Sequence, residues 1–397
     1  MVYRSIRRFL VVLLLGWGAL VCDSHATLES TRELDRADYD LASSTTSWST
    51  PPGSSHRLYL DIYNVSDYFD LETSNATGLP AGTFLADTVR PTATILWDDR
   101  FRIQLGVIAL RGYGDDKGFG FVDPWIQLLW QPIKPLTVVL GNLNTPHYYL
   151  PALFYPLNYV RLRTNETGAQ VLVHEKDWYD DLFFDYRQQD TVEHNEKFAL
   201  GFVHRNEWQW LRFNYQSHWI HQGGEINPHT DSTINDVANT VGSGIHIPWG
   251  SHAIVGGDYY HMFSHYRIDS GNPDLNVTRN GDGNMWELSG RWNRFKLSYA
   301  FWRGHNFFHE GGDSLFTLHR VDLLTFRWDI LLSRDFNLLL NYTAYFVGNN
   351  DQNVSYELKS TIHLQAAWQF SIPLMEWTTP AASPQGQPIP TRWDQGL

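Results

Sequence analysis

The stretch Val354-Ser-Tyr-Glu-Leu-Lys-Ser-Thr-Ile-His-Leu-Gln-Ala-Ala-Trp-Gln-Phe370 alternates in character with hardly a break. Val354, Tyr356, Leu358, Ile362, Leu364, Ala366, Trp368 and Phe370 fall on one side. Ser355, Glu357, Lys359, Thr361, His363, Gln365 and Gln369 fall on the other. Successive side chains of an extended strand point to opposite faces, so a period of two reads as a strand with one apolar and one polar face. The run is about three times the usual strand length. A strand with lipid on one side and water on the other needs that alternation throughout.

Working back towards the amino terminus, alternation and turn signals mark about sixteen strand candidates between 56 and 370. Phe101, Ile103, Leu105, Val107 and Ala109 alternate with Arg102, Gln104 and Gly106. Leu211, Phe213 and Tyr215 alternate with Arg212, Asn214 and Gln216, and Phe295, Leu297, Tyr299 and Phe301 with Lys296 and Ser298. A strand is also expected over 315–329, where Arg320, Asp322 and Arg327 leave the two faces unseparated. Short joins (Asp99-Arg100, Arg205-Asn206, Asn293) alternate along the chain with long ones (114–120, 144–165, 188–195, 219–234, 266–283, 304–314). A sheet that sorts its loops by end is a barrel with short turns at one mouth and long loops at the other.

The ends and the composition fit export. Arg4, Arg7 and Arg8 precede an apolar run from Phe9 to Val21, and Ser24-His25-Ala26 offers a small-x-small cleavage site. Residues 1–26 therefore read as a signal peptide, 27–55 as a flexible periplasmic lead and 371–397, rich in Pro, Gln and Ser, as a disordered periplasmic tail. Cys22 is the single cysteine, which excludes a disulfide framework. Aromatic residues make up 15 % of the chain, enough to furnish girdles at two membrane interfaces. A formal net charge of −13 argues against nucleic acid as a partner.

Together, the signal peptide, the alternating strands, the ordered turns and loops and the closing Leu364-x-Ala366-x-Trp368-x-Phe370 resemble a Gram-negative outer-membrane β-barrel of porin type. The resemblance covers 56–370. It implies an all-β, transmembrane, antiparallel up-and-down barrel of about sixteen strands (roughly 14–18), a multi-pass protein of the outer membrane with periplasmic turns and extracellular loops. It implies outer-membrane lipid and the barrel assembly machinery as partners, and it leaves open a homo-oligomer or a periplasmic partner.

Candidate functional residues follow from that frame. The join 144–165 is long, aromatic and interrupted by Pro146, Pro151 and Pro156. It is expected to fold inwards and narrow the pore with His147, Tyr148, Tyr149, Arg161 and Arg163, the other reading being a loop that merely caps the barrel. Asp61, Asp181, Asp185, Arg187, Glu287, Arg291, Lys296, Glu357 and Lys359 fall on lumen-facing positions, and by the same register so do Trp302 and Tyr345. Glu193, His194, His218, His221 and Glu225 gather at the outer rim as metal-ligand types without metal-motif spacing, so a solvated rim without metal is expected. Gly242-Ser243-Gly244 reads as a kink in the wall, and no serine sits in a nucleophile elbow. The expectation is therefore no enzyme and no cofactor, but a channel for small hydrophilic solutes. An exporter of an exopolysaccharide or other polymer and a plugged structural or docking barrel are the alternatives.

Overall fold

A computed structural model describes residues 55–378 apart from 73–81, 99, 115–117, 145–152, 154–164, 176, 192, 225–231, 251, 271, 333–335 and 349–355. Eight strands make the first half: β1 Ser55–Glu72, β2 Gly82–Trp97, β3 Phe101–Gly112, β4 Phe121–Ile133, β5 Leu136–Asn142, β6 Thr167–Glu175, β7 Trp178–Gln188 and β8 Glu196–Trp208. Eight more follow: β9 Leu211–Gly223, β10 Thr233–Trp249, β11 Ala253–Asp269, β12 Val277–Trp292, β13 Phe295–His305, β14 Arg320–Leu332, β15 Phe336–Gly348 and β16 Tyr356–Thr378. Each pairs antiparallel with its sequence neighbours, and β1 pairs with β16 to close the barrel.

The period-two pattern sorts the side chains. Leu105, Ile126, Phe213, Ile245, Leu288, Ile362, Leu364 and Phe370 are exposed on the outer wall, while Gln104, Gln127, Gln216, Asp258 and Thr361 are buried towards the lumen. Closure leaves no strand edge unpaired, which is what a sheet in hydrocarbon requires. At the seam, Asp67 on β1 accepts from Gln365 Nε2 at 2.9 Å and meets His363 Nε2 at 2.9 Å. The polar face of the closing strand thus locks its register.

Short turns at the periplasmic mouth are tight enough to need left-handed backbone: φ is 51° at Asp98, 55° at Gln209 and 50° at Asn293. Asx residues tolerate that region. Aromatic pairs flank these turns on the outside, Phe101 stacked on Trp130 (6.2 Å) and Phe295 on Trp328 (5.5 Å), forming the inner girdle.

Four local expectations change. The tight turn after β8 is Gln209-Trp210, because the strand runs on to Trp208. Ser371–Thr378 belongs to β16, paired with β1 out to Ser55↔Thr378, so it is not tail. The remaining tail, the signal peptide and the lead before Ser55 lie outside the described residues. The strand expected over 315–329 starts at Arg320, since Ser314–Thr317 is a 3₁₀ turn capped by Asp313. Gly242-Ser243-Gly244 is regular strand rather than a kink. A Cβ on Gly242 would lie 2.3 Å from the Tyr260 ring and one on Gly244 2.0 Å from Asp258 Oδ1, so these glycines make room for side chains of the next strand.

Candidate functional site

The periplasmic half of the lumen is a wall of paired charges. Arg102 Nη2 lies 3.4 Å from Asp61 Oδ2, and Arg291 Nη2 donates to Asp329 at 2.8 Å. Arg327 Nε adds a second bond to Asp329 at 2.8 Å. His246 Nε2 meets Asp258 Oδ2 at 2.8 Å. Higher up, Gln170 donates to Asp181 and Arg187 to Asp185, both at 2.9 Å. Glu287 and Lys296 alternate with the outward Leu288 and Phe295 and so face inwards.

The extracellular half is filled on one side by the chain between β13 and β14. Phe307, Leu315 and Phe316 bury against Met262, Met285, Val321, Tyr345 and Val347 of the inner wall. Trp302 is wholly buried beneath them, edge-on to Phe307 and Phe316 at 5.3 Å, and donates from Nε1 to Leu318 O at 3.0 Å. Polar contacts latch the same loop. His218 Nδ1 lies 2.8 Å from His309 Nε2 and 3.1 Å from Leu153 O. His309 Nδ1 lies 3.0 Å from Asp236 Oδ1. Glu310 N donates to Asp236 Oδ2 at 2.5 Å, Phe308 N to Ser264 Oγ at 3.1 Å, and Lys197 Nζ bonds Glu310. Asp313 caps the 3₁₀ turn by accepting from Leu315 N at 2.9 Å, and its burial pushes the carboxyl up to about 6.

The outer wall carries chemistry of a different kind. Odd and even positions of a strand part company, so His221 faces outwards although His218 faces in. Asn235 Oδ1 receives both His221 Nδ1 (3.0 Å) and Trp219 Nε1 (3.2 Å). A donating Nδ1 leaves Nε2 as the basic nitrogen. That nitrogen lies 3.1 Å from the place a Cβ would take on Gly223, and Thr233 Oγ1 lies 3.3 Å from the same place. Hydroxyl and imidazole therefore share the hollow left by Gly223. Below them Phe198 packs on His221 (4.9 Å) and Trp219 (5.4 Å), and Phe184 on Phe198 (5.4 Å). The lane is aromatic and lipid-facing, with a single polar head at the extracellular rim. His261 and His265 make similar bonds to Asn284 (3.0 Å) and Asn280 (2.7 Å).

The sequence-derived candidates separate accordingly. His147, Tyr148, Tyr149, Arg161 and Arg163 lie outside the described residues, as does Glu225. Leu153, the described residue within 145–164, is buried against the lumen cluster. Glu357 and Lys359 stand opposite Val347 and Tyr345 in register. His218 and His221 end on opposite faces of the wall, Glu193 and His194 are exposed, and among the described residues no group of three ligand types gathers for a metal. Trp302 and Tyr345 do face inwards, but under the loop rather than onto an open passage. The 305–319 plug and the His221–Asn235 pair were missed. Phe307, Leu315 and Phe316 were the available signal for the first, and Gly223 between His221 and a strand opening on Thr233 for the second.

Comparison with known proteins completes the picture. No curated protein matches the chain. Among solved structures, a loop-deleted OmpT, an outer membrane protein of Vibrio cholerae, is 10 % identical with a TM-score of 0.45, covering 80 % of this chain and 100 % of its own. OccAB1 of Acinetobacter baumannii is 8 % identical (TM-score 0.45, 82 % and 99 % covered), and a triple mutant of the Rhodopseudomonas blastica porin 12 % (0.44, 79 % and 100 %). A closed antiparallel barrel with an apolar outer wall is itself the architecture of a protein of the Gram-negative outer membrane. The model of the Lipid A 3'-O-deacylase-type family matches residues 50–374. This overturns the expectation that the chain is no enzyme. That expectation looked for a serine in an elbow, whereas a barrel has no strand-to-helix turn to build one. By a match across nearly the whole barrel, the chain belongs to the Lipid A 3'-O-deacylase-type family.

Proposed function

We infer that this barrel hydrolyses an acyl ester of lipid A, working on its outer wall at the extracellular rim. The observation that carries the reading is the His221–Asn235 pair facing Thr233 across the Gly223 hollow, at the head of the lane formed by Phe184, Phe198 and Trp219. Acyl chains lie along the lane, which brings the ester linking chain to sugar up to the polar head. Asn235 holds His221 in the tautomer whose Nε2 takes the Thr233 proton. Thr233 Oγ attacks the ester carbonyl, its bond to the acyl carbon forms, and the bond from that carbon to the sugar oxygen breaks as His221 returns the proton to that oxygen. Water, activated by the same nitrogen, then releases the fatty acid and restores Thr233.

The test is fatty-acid release from lipid A by the full chain in detergent, followed by mass spectrometry. His221→Ala is expected to lower the rate about 10²–10⁴-fold, the usual contribution of a general base. Thr233→Val lowers it comparably, and His218→Ala leaves it unchanged. Full activity in His221→Ala with a folded barrel would refute the assignment. A second reading, passage of small hydrophilic solutes, is supported by the charged inner wall around Asp61, Arg102, Arg291 and Asp329. Planar-bilayer recording decides it, and a folded barrel without conductance excludes it.

A further inference from the structure

We propose that the outer wall over β11–β14 binds the phosphate group of an outer-leaflet lipid headgroup. This site is separate from the His221 pair and stands whether or not that pair is catalytic. Register places His261, Asn284, Arg303 and Arg320 side by side in one row across four strands: His261↔Asn284, Asn284↔Arg303, Arg303↔Arg320. All four share the outward face with Tyr259, Trp286 and Phe301, which form the next row towards the membrane centre (Tyr259↔Trp286↔Phe301). Aromatic side chains at that height are an interfacial girdle. The row above it is where headgroups meet the wall.

The donors of that row are prepared for an anion. Asn284 Oδ1 is occupied by Tyr259 Oη at 2.6 Å and by His261 Nδ1 at 3.0 Å, so its amide nitrogen is the group left to donate outwards. The Arg303 guanidinium is exposed and rests on the Phe301 ring with Cζ 5.1 Å from the centroid. Arg320 reaches the same ring at 5.4 Å. Its charge is held in place by Asp322, bonded at 3.2 Å, and Asp322 is itself buried and accepts from Tyr299 Oη at 2.6 Å. Two guanidiniums meet over one ring, and the carboxylate bonded there, Asp322, belongs to Arg320. Asp282 and His305 face each other one row further out.

A cation in this position repels its neighbour unless an anion bridges them. Guanidinium and amide donors suit phosphate oxygens, and the ring floor suits the apolar part of the same molecule. A lipid carrying a phosphate at the headgroup level satisfies both requirements. A soluble phosphate satisfies one.

The experiment uses the full chain in phosphatidylcholine nanodiscs doped either with bisphosphorylated lipid A or with the same lipid after phosphatase treatment. Native mass spectrometry reads the retained lipid. The phosphorylated lipid is expected to be retained about tenfold better, the worth of one charge-assisted contact, and Arg303→Gln to abolish the difference. Arg303→Lys restores part of it. Asn284→Leu, which touches no charge, weakens retention less and guards against misfolding of the first variant, with heat-modifiable gel mobility reporting the folded barrel. Equal retention of the two lipids, or unchanged retention in folded Arg303→Gln, overturns the proposal. So does displacement of the lipid by inorganic phosphate at matching concentration, which marks a site for the free anion. His221→Ala retains lipid normally, so failure of the hydrolase reading and failure of this one are seen separately.

Discussion

His218 and His221 stand on one strand, β9, and do opposite work. His218 turns inwards, is fully buried, and joins His309 and Asp236 in a latch that holds a loop across the lumen. His221 turns outwards among aromatics, bonds a neutral Asn235, and has Nε2 beside the Gly223 hollow that Thr233 also lines. The inner site resembles a catalytic relay in composition but is sealed under Phe307, Leu315 and Phe316. The outer one is plainer and open to lipid. Accessibility to lipid, more than the number of titratable partners, separates the two sites.

Phe316→Ala removes a buried ring packed edge-on to Trp302 and is expected to cost about 3–5 kcal/mol of loop docking. Amide exchange over 305–319 should accelerate and bilayer conductance rise, with deacylation untouched. Loss of deacylation in this variant would tie the two regions together and contradict the division. At the outer site, Asn235→Leu frees the imidazole from its tautomer and is expected to slow ester hydrolysis about 10–100-fold, roughly 1.4–2.7 kcal/mol of barrier. An unaltered rate would show that Asn235 does not orient the base.

Asp236→Asn weakens the latch to His309 and Glu310 N and is expected to cost about 1–2 kcal/mol, read from the same amide exchange. The smallest is a pH dependence of the plug through Asp313. Its folded value, about 6, lies above the ordinary 3.8 because burial disfavours the charged form. A raised carboxyl contributes stability that is complete below its ordinary value and is lost as pH rises through the folded one. Between about pH 5 and about pH 7 the docked loop should loosen by about 1 kcal/mol, and Asp313→Asn should flatten the trend.

Much of the architecture was legible because its cause is local. Alternation in Val354–Phe370 appears as Ile362, Leu364 and Phe370 on the lipid side and Thr361 and Ala367 on the lumen side. The strand runs on to Thr378 because Ile372, Leu374 and Met375 continue to cover the outer wall, although Pro373 and the bulge it accompanies disguise the period. The interval 304–319 was not legible. Its apolar residues look like the start of a strand until the inner walls of β11–β15 are present to receive them.

Near-neighbour rules, a period of two and the order of turns and loops, set the sheet, its closure and the facing of wall residues outside β14, where Arg320, Asp322 and Arg327 left the two faces unseparated. Only the tertiary structure decided which histidines are sealed and which meet lipid. It also decided which loop fills the lumen and which arginines gather over one ring. Those outcomes depend on strands distant in sequence arriving at the same height, and no local pattern encodes that meeting.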